Sequence, residues 1–135
     1  MIKIIIGKKG SGKTKLLADM VNTAADTSLG NVVCIEKSDA LIYSIKYKAR
    51  LIDTEEYFIT DAQSLYGFVA GILASNHDVT DLFIDSALKI CQNDAVAFDI
   101  FVEEMAKLSD KVGINIVMTS SIPVEEATDT VNKYL

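Results

Sequence analysis

The start of the chain constrains its fold more than any other part of the sequence. Residues 1–14 read MIKIIIGKKGSGKT, in which an apolar, β-branched run ends at Gly7 and a glycine-rich stretch follows. A continuous apolar run of this kind is typical of a strand in a parallel sheet that is covered on both faces. Apolar residues at helical spacing come next, over residues 13–26. This order predicts a buried strand, a tight turn and a helix that covers the sheet.

The rest of the chain alternates between apolar runs and amphipathic stretches. Further strands are predicted over residues 32–37, 81–85 and 114–120, and further helices over residues 61–75 and 94–112. Because strands and helices alternate, the sequence predicts a three-layer α/β/α fold with a mainly parallel sheet of about 4–5 strands. The length of 135 residues, of which 50% are hydrophobic, predicts a single domain over residues 1–135.

The stretch between the second strand and the next helix is less regular. Ser38 is expected to cap a short helix that runs to about Tyr47. Residues 49–60 fit either two short strands around Asp53 and Thr54 or an extended excursion along the edge of the sheet. The sequence leaves these two alternatives open.

Two further patterns concern the starts of helices. Thr60 and Gln63 have the spacing of a capping box, which predicts the start of the helix over residues 61–75. Pro123 is the only proline and is expected in the first turn of a closing helix.

The glycine-rich stretch fits the pattern G-x-x-x-x-G-K-[ST]. Between a strand and a helix, the backbone N–H groups of such a loop point at phosphate groups, which the positive end of the helix also attracts. The predicted nucleotide-binding residues are Gly7, Lys8, Lys9, Gly10, Ser11, Gly12, Lys13 and Thr14. Lys13 is expected to reach the β- and γ-phosphates and so to act in catalysis, and Thr14 is expected to ligate Mg²⁺.

A second motif lies on the third predicted strand. The apolar run LFID ends at Asp85. A carboxylate at the end of a buried strand can hold Mg²⁺ beside a phosphate loop. Asp85 and Thr14 are therefore the predicted metal ligands.

On these two motifs the chain resembles a minimal P-loop NTPase, with GKKGSGKT as its Walker A and LFID as its Walker B sequence. The resemblance implies ATP and Mg²⁺ as cofactors. In many ATPases that have an extra strand beside the P-loop strand, a polar residue at the end of that strand contacts the γ-phosphate. Thr119 is the best candidate here for this catalytic contact; the alternative is that its hydroxyl caps the following helix.

The residue after Asp85 departs from the family pattern. Many P-loop ATPases have a glutamate there that orients the attacking water, whereas this chain has Ser86. The departure implies slow hydrolysis unless a partner completes the site. Arg50, the only arginine, either stabilises transition-state charge or belongs to a solvated surface.

Narrower resemblances are partial. Lys8 occupies the place of the signature lysine of partition and division-site ATPases, which reaches across an ATP-sandwiched dimer, but Lys9 and Lys15 depart from their loop. The order of motifs is also similar to that of thymidine-kinase-like proteins, which carry a glutamate where Ser86 stands. Secretion and pilus-retraction ATPases are similar in loop and size class alone.

Composition limits the range of partners. The net charge is −6, so the surface as a whole does not attract nucleic acid or anionic lipid, and nucleic acid is not an expected partner. Basic clusters occur at residues 8–15, where phosphate accounts for them, and at residues 46–50. The longest apolar run, residues 65–74, is shorter than the ~20 residues that a membrane span needs, so no span is predicted.

Cysteine and histidine are too few and too far apart for a zinc site. Cys34, Cys91 and the single His77 have no metal-ligand spacing. Both thiols are expected to be reduced core residues, and no secretory signal precedes the first strand, so a cytoplasmic location is expected.

Together these features predict an Mg·ATP-binding protein with weak or partner-dependent ATPase activity. ATP is expected over GTP because the guanine-reading [NT]-K-x-D motif is absent. One alternative is a non-catalytic regulatory module, such as an ATP-sandwiched homodimer or a partner-binding protein, in which nucleotide orders residues 38–60. Another is a small-molecule kinase that uses residues 38–60 as its acceptor site.

Overall fold

A five-stranded, entirely parallel sheet forms the centre of the protein. The computed structural model describes residues 1–135, and its strands stand in the order β1-β5-β4-β2-β3. The strands are β1 (Ile2–Ile6), β2 (Asn31–Glu36), β3 (Ala49–Asp53), β4 (Val79–Ile84) and β5 (Asn115–Ser120). The predicted three-layer α/β/α fold with a parallel sheet is confirmed.

Helices cover both faces of the sheet. They are α1 (Lys13–Thr27), α2 (Ala62–Ser75), α3 (Ala87–Ile90), α4 (Ala95–Val112) and α5 (Asp129–Asn132). On one face, α1 packs Leu17 and Val21 against strand residues such as Cys34. On the other face, a larger core of 22 buried residues joins the sheet to the remaining helices. Because alternate residues of the strands serve the two cores, the central parts of the strands are mainly apolar, as the sequence indicated.

The parallel arrangement brings the carboxyl ends of all five strands to one edge of the sheet. β1 ends before Gly7, β2 ends on Glu36, β4 ends before Asp85, and β5 ends on Ser120. A crevice at this edge is where open α/β sheets bind ligands. The topology therefore collects polar residues that are far apart in the sequence.

The helix predicted from Ser38 to about Tyr47 is wrong. This segment consists of turns, and hydrogen bonds to a side chain of α1 hold its backbone in place. Asn22 Oδ1 accepts a hydrogen bond from the N–H of Lys46, and Asn22 Nδ2 donates one to the carbonyl of Ser44, each at 2.8 Å. These tertiary bonds take up backbone groups that a helix would have used.

The less regular stretch after it resolves into one strand and one turn. β3 pairs with β2 in parallel at the outer edge of the sheet, and a single turn of 3₁₀ helix follows at Thr54–Tyr57. The predicted α2 is present, but its capping box is formed by Asp61 and Ser64, not by Thr60 and Gln63. A carboxylate is a better acceptor for the first-turn N–H groups, which explains why Asp61 takes the cap position.

The closing helix begins later than predicted. Pro123 was expected in its first turn, but the helix begins at Asp129. Pro123 precedes one 3₁₀ turn at Val124–Glu126, after which the chain extends again. Helix α5 begins only when Thr128 Oγ1 accepts a hydrogen bond from the N–H of Val131 at 3.2 Å. The same Thr128 hydroxyl donates to Asp99 on α4 at 2.9 Å, which ties the chain terminus to the core.

The structure shows the environment of the two cysteines and the character of the helices. Cys34 and Cys91 are both buried and unpaired, and burial raises the pKa of each thiol, to about 12 for Cys91. Among the helices, none combines the length and the apolar character that crossing a lipid bilayer requires.

Candidate functional site

A cleft of about 570 Å³ opens at the carboxyl edge of the sheet, between the loop after β1 and the segment after β4. Of the residues predicted to bind nucleotide or act in catalysis, Lys9, Gly10, Gly12, Lys13, Thr14 and Thr119 line it. Lysines, hydroxyls and glycines dominate the lining, and Leu88 is its one hydrophobic residue. Such a surface suits a charged, strongly hydrated ligand.

The glycine-rich loop adopts the backbone that phosphate binding requires. Gly10 and Gly12 have φ of 84° and 90°, in the left-handed region that favours glycine. Gly12 stands at the N-cap of α1, and no side chain caps this helix. The first N–H groups of α1 therefore have no partner within the helix, and its positive end faces the cleft.

Lys13 lies across the loop and does not enter the core. Its Nζ donates to the carbonyl of Lys8 at 2.8 Å and contacts Ser11 Oγ at 3.4 Å. Both acceptors are neutral, and a phosphate oxygen would be a stronger partner for an ammonium group. The predicted loop residues that do not line the cleft are thus close to it: Lys8 and Ser11 hold Lys13, and Gly7 is the residue directly after β1.

The two predicted metal ligands are adjacent, although they are far apart in the sequence. Thr14 Oγ1 lies 3.3 Å and 3.1 Å from the two carboxylate oxygens of Asp85 and donates a hydrogen bond to them. Asp85 is 6% exposed. A hydroxyl and a carboxylate that converge next to a phosphate loop form an oxygen donor set of the kind that Mg²⁺ prefers. The residues present therefore fit this ion.

Thr119 connects the end of β5 to this pair. Its hydroxyl donates to Asp85 Oδ1 at 2.7 Å and accepts from the N–H of Ser86 at 2.9 Å. Thr119 therefore orients the carboxylate of Asp85 and supports the turn after β4. In this structure its hydroxyl does not cap the segment that follows β5, which was the alternative interpretation.

A buried glutamate lies beside this group and was missed in the sequence analysis. Glu36 ends β2, which pairs with β4 so that the N–H of Asp85 donates to the carbonyl of Ile35 at 2.8 Å. Glu36 is 2% exposed, and its Oε1 accepts a hydrogen bond from the N–H of Leu41 at 3.2 Å. The available signal was an apolar run, VVCIE, that ends in a carboxylate just as LFID does.

The environment of Glu36 makes it a weaker acid than ordinary glutamate. Burial raises its pKa from 4.5 to about 7, the hydrogen bond from Leu41 opposes this, and the negative charges of Asp53 and Asp85 add to it. Glu36 itself does not line the cleft, but a carboxyl group that titrates near neutral pH can accept a proton from a water molecule that reaches it. Glu36 is therefore the candidate base that Ser86 does not supply.

The segment after Asp85 adds further residues that the sequence analysis did not predict. The segment after β4 lines the cleft with Ser86, Leu88, Lys89 and Asn93, and α1 adds Lys15. Arg50 lies outside the cleft, exposed on the edge strand β3, where its guanidinium donates to the carbonyl of Leu51 at 3.2 Å. Its position fits the solvated-surface alternative.

Comparison with known proteins bears on the fold. A KaiC-like protein from the hyperthermophilic archaeon Pyrococcus horikoshii OT3 superposes on 98% of this chain with a TM-score of 0.67 and 15% sequence identity. The chain spans 66% of the length of that protein. No family model matches the sequence, and no curated protein matches it either. At this identity the likeness shows the fold alone, and it agrees with a P-loop NTPase-like α/β architecture.

Proposed function

We propose that this chain binds Mg·ATP in the cleft and hydrolyses it slowly or with the help of a partner. The hydrogen-bonded group of Thr14, Asp85 and Thr119, placed directly beside the glycine-rich loop, carries this proposal. The group joins a phosphate-binding element to a metal-binding carboxylate. Sequence spacing suggested the two elements separately, and the fold brings them together.

The loop and Lys13 would hold the phosphates. The uncapped N-terminus of α1 offers N–H donors, and the ammonium group of Lys13 can exchange the Lys8 carbonyl for a β- or γ-phosphate oxygen. Thr14 and Asp85 would hold Mg²⁺, which neutralises negative charge on the phosphates when it is bound. Lys13, Thr14 and Asp85 do not belong to the two hydrophobic clusters, so core packing does not account for their arrangement. The arrangement therefore points to a ligand.

Hydrolysis would use Glu36 as the proton acceptor. Water attacks the γ-phosphorus, the bond from the γ-phosphorus to the bridging oxygen breaks, ADP leaves, and Glu36 takes the proton of the water. In this structure Glu36 accepts a hydrogen bond from Leu41, and its burial raises its pKa to about 7. Both features lower its availability as a base, which supports slow turnover.

The experiment that tests the proposal is Asp85→Asn, compared with Asp81→Asn. Asp81 lies near the start of the same strand, at the opposite edge of the sheet. We expect Asp85→Asn to weaken Mg²⁺-dependent ATP binding by about tenfold or more, because one charged metal ligand becomes neutral. Asp81→Asn should leave the affinity unchanged in calorimetry. Equal affinities for both variants and the wild type would contradict the proposal.

A second candidate is the regulatory module, and one contact favours it. The hydrogen bond from the N–H of Leu41 to Glu36 joins residues 38–47 to the end of β2, beside the strand that precedes Asp85. That segment presents Tyr43 and Tyr47 at 97% and 93% exposure. Exposed tyrosines are frequent anchors of protein interfaces. Nucleotide bound near Glu36 could therefore alter a surface that a partner protein contacts.

A further inference from the structure

The segment from Ser86 to Asn93 follows β4 and forms a wall of the cleft, to whose lining it contributes Ser86, Leu88, Lys89 and Asn93. Four non-glycine residues of the chain have a left-handed backbone, and three of them, Ser86, Gln92 and Asn93, lie in this segment. Such a conformation is unfavourable for residues with a side chain, and it persists where surrounding contacts impose it. Two of the three, Ser86 and Asn93, line the cleft, so the contacts that impose this backbone also shape the cleft wall.

Specific contacts hold this wall in place. The N–H of Leu88 donates to Ser120 Oγ at 3.2 Å, and Gln92 Nε2 donates to the carbonyl of Thr60 at 2.6 Å. Ile90 and Cys91 are buried in the core. Lys89 lies between these anchored residues, is itself exposed, and lines the cleft. Its backbone position is therefore fixed while its side chain is free to meet a ligand.

Lys89 is the one cation of the cleft that does not belong to residues 9–15. The other three are Lys9, Lys13 and Lys15. None of the four takes part in the two ion pairs of the structure, which are Lys46–Asp26 and Lys133–Glu103. Four unpaired ammonium groups around one cleft repel one another, and a polyanion that enters the cleft removes this repulsion.

We propose that Lys89 binds the γ-phosphate of the nucleotide in addition to Lys13 and makes the site selective for triphosphate over diphosphate. The inference rests on the proposed function. Lys89 follows the metal-binding Asp85 by four residues, and in P-loop sites the metal lies between the β- and γ-phosphates. The wall that carries Lys89 therefore flanks the terminal end of the phosphate chain. A cation there neutralises charge that develops on the transferred phosphoryl group.

The test is Lys89→Met, with Lys89→Arg as the conservative variant and Lys107→Met as the matched control on the exposed face of α4. Calorimetry measures the affinity of each protein for the magnesium complexes of ADP and of adenylyl-imidodiphosphate, a triphosphate analogue that resists hydrolysis. We expect Lys89→Met to weaken analogue binding by about tenfold or more and to leave ADP binding unchanged. Lys89→Arg should retain most of the affinity, and Lys107→Met should change neither ligand.

Two results would overturn the proposed role of Lys89 and leave the proposed function of the chain intact. One is an unchanged affinity of Lys89→Met for the analogue. The other is an equal loss of affinity for the analogue and for ADP, which would show a general electrostatic effect. If the wild-type protein bound neither nucleotide, the proposed function itself would fail. Circular dichroism of Lys89→Met should match the wild type, since the side chain is exposed, and it separates lost binding from lost folding.

Discussion

At the scale of single residues, Glu36 shows how position changes the chemistry of an ordinary side chain. It is a buried carboxyl group with one hydrogen-bond donor, Leu41, and with other carboxylates nearby. Its folded pKa of about 7 lies above the ordinary value of 4.5. The folded protein therefore holds a proton at Glu36 that the unfolded chain releases between these two pH values.

This difference predicts how stability depends on pH. The contribution of Glu36 to the free energy of unfolding is largest below pH 4.5 and decreases as the pH rises to about 7. The decrease is at most about 3 kcal/mol. Chemical denaturation at about pH 5 and about pH 8 measures it. Glu36→Gln should reduce the decrease, whereas the exposed control Glu56→Gln should not; an unchanged decrease in Glu36→Gln would show that Glu36 does not titrate in this range.

The residues of the site differ in how far the sequence could predict them. Gly12, Lys13 and Thr14 are consecutive residues of one short motif, so their spacing alone predicts phosphate binding. Lys89 reaches the cleft, and Glu36 comes to lie beside the strand that precedes Asp85, only through the order of the strands and the path of the chain after β4. Sequence spacing carries no information on that order, which explains why both were missed.

At the scale of elements, the strands and the long helices follow from hydrophobic periodicity, but residues 38–47 do not. Their conformation depends on Asn22, a residue of α1 that local pattern cannot connect to them. The ion pair of Lys46 with Asp26 adds a second link to α1. The conformation of this segment is therefore set by tertiary contacts, and the hydrogen bond from the N–H of Leu41 to Glu36 links it to the end of β2.

The regulatory candidate predicts a measurable response in this segment. If Glu36 turns towards a bound triphosphate, the N–H of Leu41 loses its acceptor, and its hydrogen exchange should be faster with Mg·ATP than with Mg·ADP. Hydrogen–deuterium exchange with mass spectrometry on peptides that cover residues 38–47 detects the difference. In Glu36→Gln, which cannot become a charged acceptor, the difference should be smaller. Identical exchange in both nucleotide states would exclude coupling through this contact.

At the scale of the whole molecule, the charge distribution separates the site from the rest of the surface. The chain carries a net charge of −6, yet four lysines line the cleft. An anion is therefore attracted to the cleft of a molecule whose net charge is negative. The predicted role of Lys8 in an ATP-sandwiched dimer stays a prediction. Its side chain is exposed and lies outside the lining of the cleft.

The most direct test of the central claim is calorimetric titration of Mg·ATP into the wild-type protein and into Lys13→Met. The ammonium group of Lys13 contacts only the loop atoms of Lys8 and Ser11, so its loss should not lower the melting temperature. We expect saturable binding to the wild type and a loss of about a hundredfold or more in the variant. Equal affinity of the two folded proteins for Mg·ATP would contradict the claim that this loop binds nucleotide phosphates.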